Sequence, residues 1–333
     1  MENLPGILLS LVLGIVPMFI FAYWVYWTDR YEKEPLPMLV GTFLWGAIVA
    51  AGAAYLINTI LGLGVFLFTD SEFATEITTG ALIAPFVEES LKGIAVWIVF
   101  LAFRTEFDTY LDGIVYAAIT ALGFAAAENS YYIFTYGYQE GGLAGAIFMV
   151  FVRVVLVGWQ HPFYTAFIGI GLAAARLSRR PEIKITAPIV GFGAAVFTHS
   201  MHNILASLLP GSISLSLGTM LDWSGWFIML IFILWAIYRE NQWIVEQLRE
   251  EVTMEIITAE HYQTACSAWA QTLARMRALI NGHYRFTSRF YQICAELAFK
   301  KHQHATLGEE GGNSKIIHNL RAELSQLSPY ARI

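Results

Sequence analysis

Glu88 and Glu89 stand side by side in a stretch that is otherwise apolar, and Lys92 follows them within one helical turn. At about 100° per residue, Lys92 falls about 40° from Glu88 and about 60° from Glu89 on its other side, so it sits angularly between the two carboxylates. In a low-dielectric setting these groups carry one more negative than positive charge, which favours a proton shared between the carboxylates. A carboxylate that takes up and returns a proton can activate a water molecule. A structural ion pair between Glu89 and Lys92, tying two helices together, stays open beside that reading.

Further ionisable groups lie in apolar stretches: Glu128, Arg153, His161, His199 and His202. Glu128 is stacked with Tyr132, and His199 with Asn203, each four residues apart and so on one helix face. Counted at about 1.5 Å per residue from the outer ends of their stretches, Glu88 and Glu89 lie about 12 to 14 Å deep, Glu128 about 15 Å, His199 about 16 Å and His161 about 20 Å. Four helices of alternating direction therefore present polar groups at a common level. Charges at such depth are costly, so they face a protein interior and often mark function. Arg153, about 12 Å outward of His161 on an unbroken helix, reads as structural, paired with a carboxylate or a lipid headgroup. Asp112 beside Gly113 reads as a helix-start residue.

The elements that must position these groups are membrane helices. The chain has 333 residues, 56% of them hydrophobic and only 14% charged, with a mean hydropathy of +0.54. A spanning helix needs roughly 20 apolar residues, and about seven such stretches fit, near 5–27, 38–67, 80–103, 111–137, 145–174, 186–209 and 222–238. The expected fold is all-α and polytopic, with residues 1–238 as a transmembrane domain and 239–333 as a C-terminal helical cytoplasmic domain. The first span lacks the basic flank of a cleavable signal and ends in Tyr23, Trp24, Tyr26 and Trp27, so it is expected to remain attached. Arg30, Lys33, Arg104, Arg176, Arg179, Arg180, Lys184 and Arg239 fall in alternate connections, whereas the segments around 70–79, 138–142 and 210–222 hold no Lys or Arg. The positive-inside rule then puts the N-terminus outside and the C-terminus in the cytoplasm.

Residues 239–333 hold 11 Lys plus Arg against 10 Asp plus Glu, so the net charge of -6 belongs to the membrane part, and nothing points to a nucleic-acid partner. Cys266 and Cys294, the only two cysteines, are expected reduced and make a poor metal site. Within the tail, Asn281-Gly282 reads as a helix end, 308–313 as a linker, and Ile317, Leu320, Leu324 and Leu327 as one face of a last amphipathic helix. It reads as a solvated appendage open to a cytoplasmic partner. Gly41, Gly46 and Gly52 with Ala51 and Ala53 suit the second span to close packing.

Glu88-Glu89-Ser90-Leu91-Lys92, the stretch from Asp112-Gly113 to Glu128-Asn129-Ser130-Tyr131-Tyr132, His161, and His199-Ser200-Met201-His202-Asn203 occur in an order that resembles the PrsW family of intramembrane proteases, over roughly residues 10–240. The resemblance extends to the CAAX-processing and bacteriocin-processing membrane proteases. It implies hydrolysis of a peptide bond in a membrane-anchored protein, such as a single-span anti-sigma factor cut on its extracytoplasmic side, in a bacterial plasma membrane. It carries Glu88, Glu89, Lys92, Glu128, His161, His199 and Asn203 over as site residues, and leaves His202 as a spectator. The tail from Arg239 lies outside the shared pattern.

Two mechanisms stay open on these residues. In one, no metal is required: a glutamate of the pair activates water, Lys92 tunes the charge, His161 positions that water or protonates the leaving amine, and His199 with Asn203 donates to the oxyanion. In the other, zinc sits on His161, His199 and one glutamate of the pair, leaving the second glutamate of the pair as base, although no His-Glu-x-x-His helix is present. Outside hydrolysis, a proton- or cation-coupled transporter or a non-catalytic membrane scaffold would also explain buried charges. The chain shows neither the internal repeats nor the paired broken helices that a transporter suggests.

Overall fold

A computed structural model describes residues 3–209, 211–309 and 311–331. Pro210 and Glu310, which the sequence puts in a loop and a linker, lie outside the described residues. Helices account for the regular structure, with no strand among the described residues.

α1 spans Leu4–Thr28. α2 (Leu36–Leu44) starts behind Pro35, with a proline in its first turn where no N–H is needed. A π-helical turn at Trp45–Ala50 leads without a break into α3 (Ala51–Thr69). Asp70 closes α3 in the left-handed region (φ 48°), and the Ser71 side chain caps α4 (Glu72–Ile77). A second π turn, Thr78–Ile83, feeds α5 (Ala84–Ala102), the helix of Glu88, Glu89 and Lys92. α6 (Tyr110–Tyr132) begins with a capping box: Thr109 accepts from the Asp112 amide, and Asp112 accepts from the Thr109 amide. Asp112 thus has the helix-start role expected of it.

Among the described residues, five helical stretches are long and apolar enough to cross a membrane: Leu4–Thr28, Leu36–Thr69, Tyr110–Leu177, Pro181–Leu208 and Gly211–Thr253. α5 is absent from that set because it carries three charged residues. The stretch Tyr110–Leu177 is not one straight rod. After α6 and a π turn at Ile133–Tyr138, α7 (Gln139–Val150) is interrupted at Gly142 (φ 59°, ψ -145°), and the chain returns so closely that a Cβ on Gly145 would lie 2.3 Å from the Gly137 carbonyl oxygen. A further π turn, Phe151–Leu156, ends at Val157. α8 then starts afresh at Gln160 and runs to Leu177. Sequence spacing takes residues 145–174 as one continuous helix; Gly158, and Pro162 with no N–H for residue 158, account for the interruption. α9 covers Pro181–Leu208 and α10 covers Gly211–Gln247. α10 therefore begins about ten residues before the expected last span, and the segment from 211 onward is helix rather than loop.

Two compact units divide the chain. The first holds residues up to Trp27, Glu34–Arg176 and Arg180–Phe232. α6 is its hub, buried on every face from Leu111 to Ala126. Glycines let backbones approach it: a Cβ on Gly46 would stand 2.0 Å from the Thr120 carbonyl oxygen, and one on Gly113 would stand 2.4 Å from that of Gly169. The outer faces stay apolar and exposed, as at Val12, Phe19, Ile60, Ile94 and Ile189, which suits contact with lipid. Gly46→Ala is expected to lower stability by about 1–3 kcal/mol, because backbone cannot give way as a flexible side chain can. Thermal unfolding in detergent measures this, with Gly41→Ala unchanged as the control, since a Cβ there meets nothing within 4 Å.

The second unit comprises Thr28–Lys33, Leu177–Arg179 and Ile233–Ile333. Beyond α10 it contains α11 (Arg249–Thr253), α12 (Ala259–Ala265), α13 (Ala268–Ile280), α14 (Tyr284–Leu307) and α15 (Asn313–Leu327). Its core joins Trp243, Leu248, Phe290, Leu297, Leu320 and Leu324. Asn281 and Gly282 (φ 75°) follow α13 as its end, and Ile317, Leu320 and Leu324 form the buried face of α15. Both cysteines are free thiols, and burial pushes the Cys294 thiol well up from its ordinary value.

Candidate active site

α5 turns Glu88, Glu89 and Lys92 inward, with Glu89 and Lys92 wholly buried. Lys92 Nζ lies 2.6 Å from Glu89 Oε1 and 3.8 Å from Glu88 Oε2, between the two carboxylates as helix geometry requires. The two glutamates differ in what surrounds them. Glu89 is fully engaged: besides Lys92, it accepts from Thr165 Oγ1 (2.8 Å) on α8 and from His199 Nδ1 (2.9 Å) on α9. Glu88 Oε2 is buried and has no hydrogen-bond partner among the described residues. A buried acceptor left unpaired is costly, so this oxygen calls for a partner from outside the chain.

The histidine tautomers follow from their neighbours. Glu89 accepts, so His199 donates from Nδ1 and keeps its Nε2 lone pair, 3.8 Å from Glu88 Oε2. His161, in the first turn of α8, has Nδ1 3.3 Å from Lys92 Nζ and Nε2 2.8 Å from Glu128 Oε2. An ammonium only donates, so Nδ1 accepts from Lys92 and Nε2–H donates to Glu128. The two imidazole rings are 5.3 Å apart, nearly perpendicular. Glu128 is also ion-paired with Arg153, whose Nε donates to Asn129 Oδ1 (3.0 Å) and whose guanidinium lies 4.4 Å from the Tyr132 ring centre.

A group of residues fits a metal ion. Glu88, His161 and His199 each offer a ligand atom, all within 4.8 Å of one another. Two imidazoles and a carboxylate are a common zinc donor set. The unpartnered Glu88 oxygen and the His199 Nε2 lone pair both point to such an occupant, while His161 would release one of its two contacts. The Glu89–His199 hydrogen bond is the supporting carboxylate that ligating histidines usually have. Charge agrees as well: three carboxylates, Glu88, Glu89 and Glu128, face two basic side chains, Lys92 and Arg153, with one carboxylate left over.

Asn203 directs its amide elsewhere, donating to the Gly80 carbonyl (2.8 Å) and so tying α9 to the π turn ahead of α5. His202 pairs with Asp222 (2.9 Å). Asp222 also accepts from Tyr164 (2.8 Å), whose ring stacks on His199 at 4.9 Å. Sequence reasoning missed Tyr164, Thr165 and Asp222, and set Arg153 apart. For Tyr164 and Thr165 a signal exists, since they follow His161 at three and four residues on one helix face. For Arg153 the only signal is the Gly158…Pro162 interruption.

A cavity of about 870 Å³ opens onto the cluster, and Glu88, Glu128, Tyr132, Asn58 and Thr79 are among its lining residues.

Residues 34–237 match a family described as PrsW family intramembrane metalloprotease. The chain is 27% identical over 222 residues to Protease PrsW of Bacillus subtilis strain 168, covering 67% of this chain and 88% of that protein. It is 36% identical over 124 residues to Protease PrsW of Clostridioides difficile strain 630, covering 37% of this chain but only 50% of that relative. Protease PrsW of Geobacillus kaustophilus is 28% identical over 165 residues, covering 50% of this chain and 66% of the relative. No solved structure matches. The match spans more than half of the chain and includes every helix that contributes to the cluster, and the chain therefore belongs to the PrsW family of intramembrane metalloproteases.

Proposed function

We propose that the chain hydrolyses a peptide bond in a single-span membrane protein, on the outer side of a bacterial plasma membrane, with Glu88 at the centre of the reaction. The observation that carries this reading is the unpartnered, buried Glu88 oxygen beside two histidines, at the wall of a cavity large enough for a peptide segment.

Glu88, His161 and His199 would hold the metal ion, which when bound supplies Lewis-acid polarisation of the scissile carbonyl. The chain's own residues supply the rest. Glu128, held by Arg153 and reached from the cavity, accepts the proton of the attacking water and returns it to the leaving nitrogen. Glu89 fixes the tautomer and orientation of His199. Lys92 holds Glu89 in place and offsets the carboxylates. Tyr164, anchored by Asp222, supports the His199 ring from behind.

Seven crossings with the N-terminus outside suit this arrangement: α5 adds one crossing, and the reversal at Gly142 divides the longest apolar stretch into two. The basic connections then lie inside, and residues 239–333 form a cytoplasmic helical domain, open to a partner there.

Reconstitution with a single-span anti-sigma factor tests the function. Cleavage is expected on the extracytoplasmic side, to be lost on treatment with a zinc chelator and restored by added zinc. Full cleavage by metal-free protein would return Glu88 to the role of direct base, and no cleavage of any single-span protein, with the metal present, would sink the reading.

A further inference from the structure

The cavity at Glu88 has a second feature that hydrolysis alone does not require. Two more buried side-chain oxygens, Asn58 Oδ1 and Thr79 Oγ1, lack hydrogen-bond partners, and both residues line it. Asn58 belongs to a stripe on the second long helix, Ala47, Ala51, Ala54 and Asn58, at successive spacings of three and four residues, which presents one face to the cavity. Thr79 sits on the π turn that leads into α5, with its Oγ1 only 3.2 Å from where a Cβ on Gly62 would be. Gly52 lines the same space, and a Cβ there would meet nothing within 4 Å. A stripe of almost no bulk thus runs along this wall between the larger side chains of Ile48 and Tyr55, and three residues with a buried acceptor oxygen, Asn58, Thr79 and Glu88, line the space.

We propose that this cavity is the cleft for the substrate chain on one side of the scissile bond, and that Asn58 and Thr79 are positioning residues that accept hydrogen bonds from substrate main-chain N–H groups. The inference rests on the reading of Glu88 given above. A membrane helix already satisfies its own N–H groups and has none to give. The cleft therefore selects a segment that is unwound where it passes Asn58 and Thr79, and the Ala and Gly stripe between Ile48 and Tyr55 leaves room for side chains of that segment. The substrate class is a single-span protein with a locally extended, weakly helical stretch next to the cleavage point.

The experiment uses the full-length protein in nanodiscs with a labelled single-span anti-sigma factor as the probe, measuring cleavage with wild-type background and capture with Glu88→Gln. Gly52→Phe is expected to raise KM for cleavage at least tenfold, and in the Glu88→Gln background to weaken capture by a similar factor. Asn58→Leu is expected to raise KM about tenfold with kcat changed less than twofold, and Asn58→Ser to recover part of the loss. Gly64→Phe is the control: a Cβ at Gly64 also meets nothing within 4 Å, but Gly64 does not line the cleft. The proposal is overturned if Gly52→Phe and Gly64→Phe behave alike, or if Asn58→Leu lowers kcat with KM unchanged. In either case a Glu88→Gln protein that fails to cleave leaves the active-site reading intact. Cleavage by Glu88→Gln at the wild-type rate sinks that reading, and the cleft with it.

Discussion

Glu88→Gln is expected to reduce cleavage by at least about a thousandfold and to remove bound metal, whereas Glu128→Gln is expected to lower kcat by about a hundred- to ten-thousandfold with metal content unchanged. The separation follows from where the two carboxylates sit. Glu88 offers a buried oxygen without a partner, in the group formed with His161 and His199, and an amide in its place is a far weaker donor to a metal ion. Glu128 already has two partners, Arg153 and His161, so its exchange for glutamine keeps the shape of the site and removes only the proton acceptor. Metal analysis of purified variants beside single-turnover cleavage gives both readouts. Metal retained by Glu88→Gln with activity lost would instead make Glu88 the base, and metal lost from Glu128→Gln would place Glu128 among the ligands. Glu89→Gln provides a third pattern: the amide oxygen can still accept from His199 while its NH2 donates to the Thr165 hydroxyl in place of accepting from it, so orientation survives in part while the charge opposite Lys92 does not.

How much of this the sequence could tell depends on which interactions are local. The inward face of α5 was legible, because three charges within five residues can only be arranged one way on a helix, and counting rise per residue grouped Glu128 and His199 with the pair because each lies on an unbroken helix, α6 or α9. The same arithmetic misled for Arg153. It presumes an unbroken helix from 145 to 174, and the turn at Gly158 and Trp159 before α8 folds Arg153 back onto Glu128. Asp222 was hidden for another reason: the Gly, Ser and Thr residues of 211–219 look like a loop, yet they form the first turns of α10. The difference between the two adjacent glutamates could not be read at all. It is made by Thr165 and His199, on two other helices, and no spacing rule reports which neighbour of a pair will meet them. Asn203 shows the converse, since the spacing that groups it with His199 is real, while its amide is taken up by Gly80.

Lys92→Met tests whether the buried cation holds the site together. Lys92 is wholly buried, bonded to Glu89, within 3.3 Å of His161 Nδ1 and 4.3 Å from the Phe124 ring centre, so its stem is packed and its charge has no water to fall back on. Methionine keeps the volume and removes the charge. That strands Glu89 with no compensating ion, and breaking one partner of a buried pair costs about 3–5 kcal/mol. Removing both charges is different, because a pair replaced by neutral groups of similar shape is often close to neutral for stability. The double variant Lys92→Met with Glu89→Gln is therefore expected to recover most of the thermal stability that Lys92→Met loses, because the glutamine oxygen can still accept from His199 and its NH2 can donate to the Thr165 hydroxyl. Activity is not expected to return, since the site has lost its buried cation and the surviving carboxylates Glu88 and Glu128 face only Arg153. Thermal unfolding and cleavage measured on the two single variants and the double variant, in the same nanodiscs, complete the cycle. Stability that is unaffected by Lys92→Met alone would show that Glu89 finds another counterion, and recovery of cleavage in the double variant would show that the pair serves the fold and not the reaction.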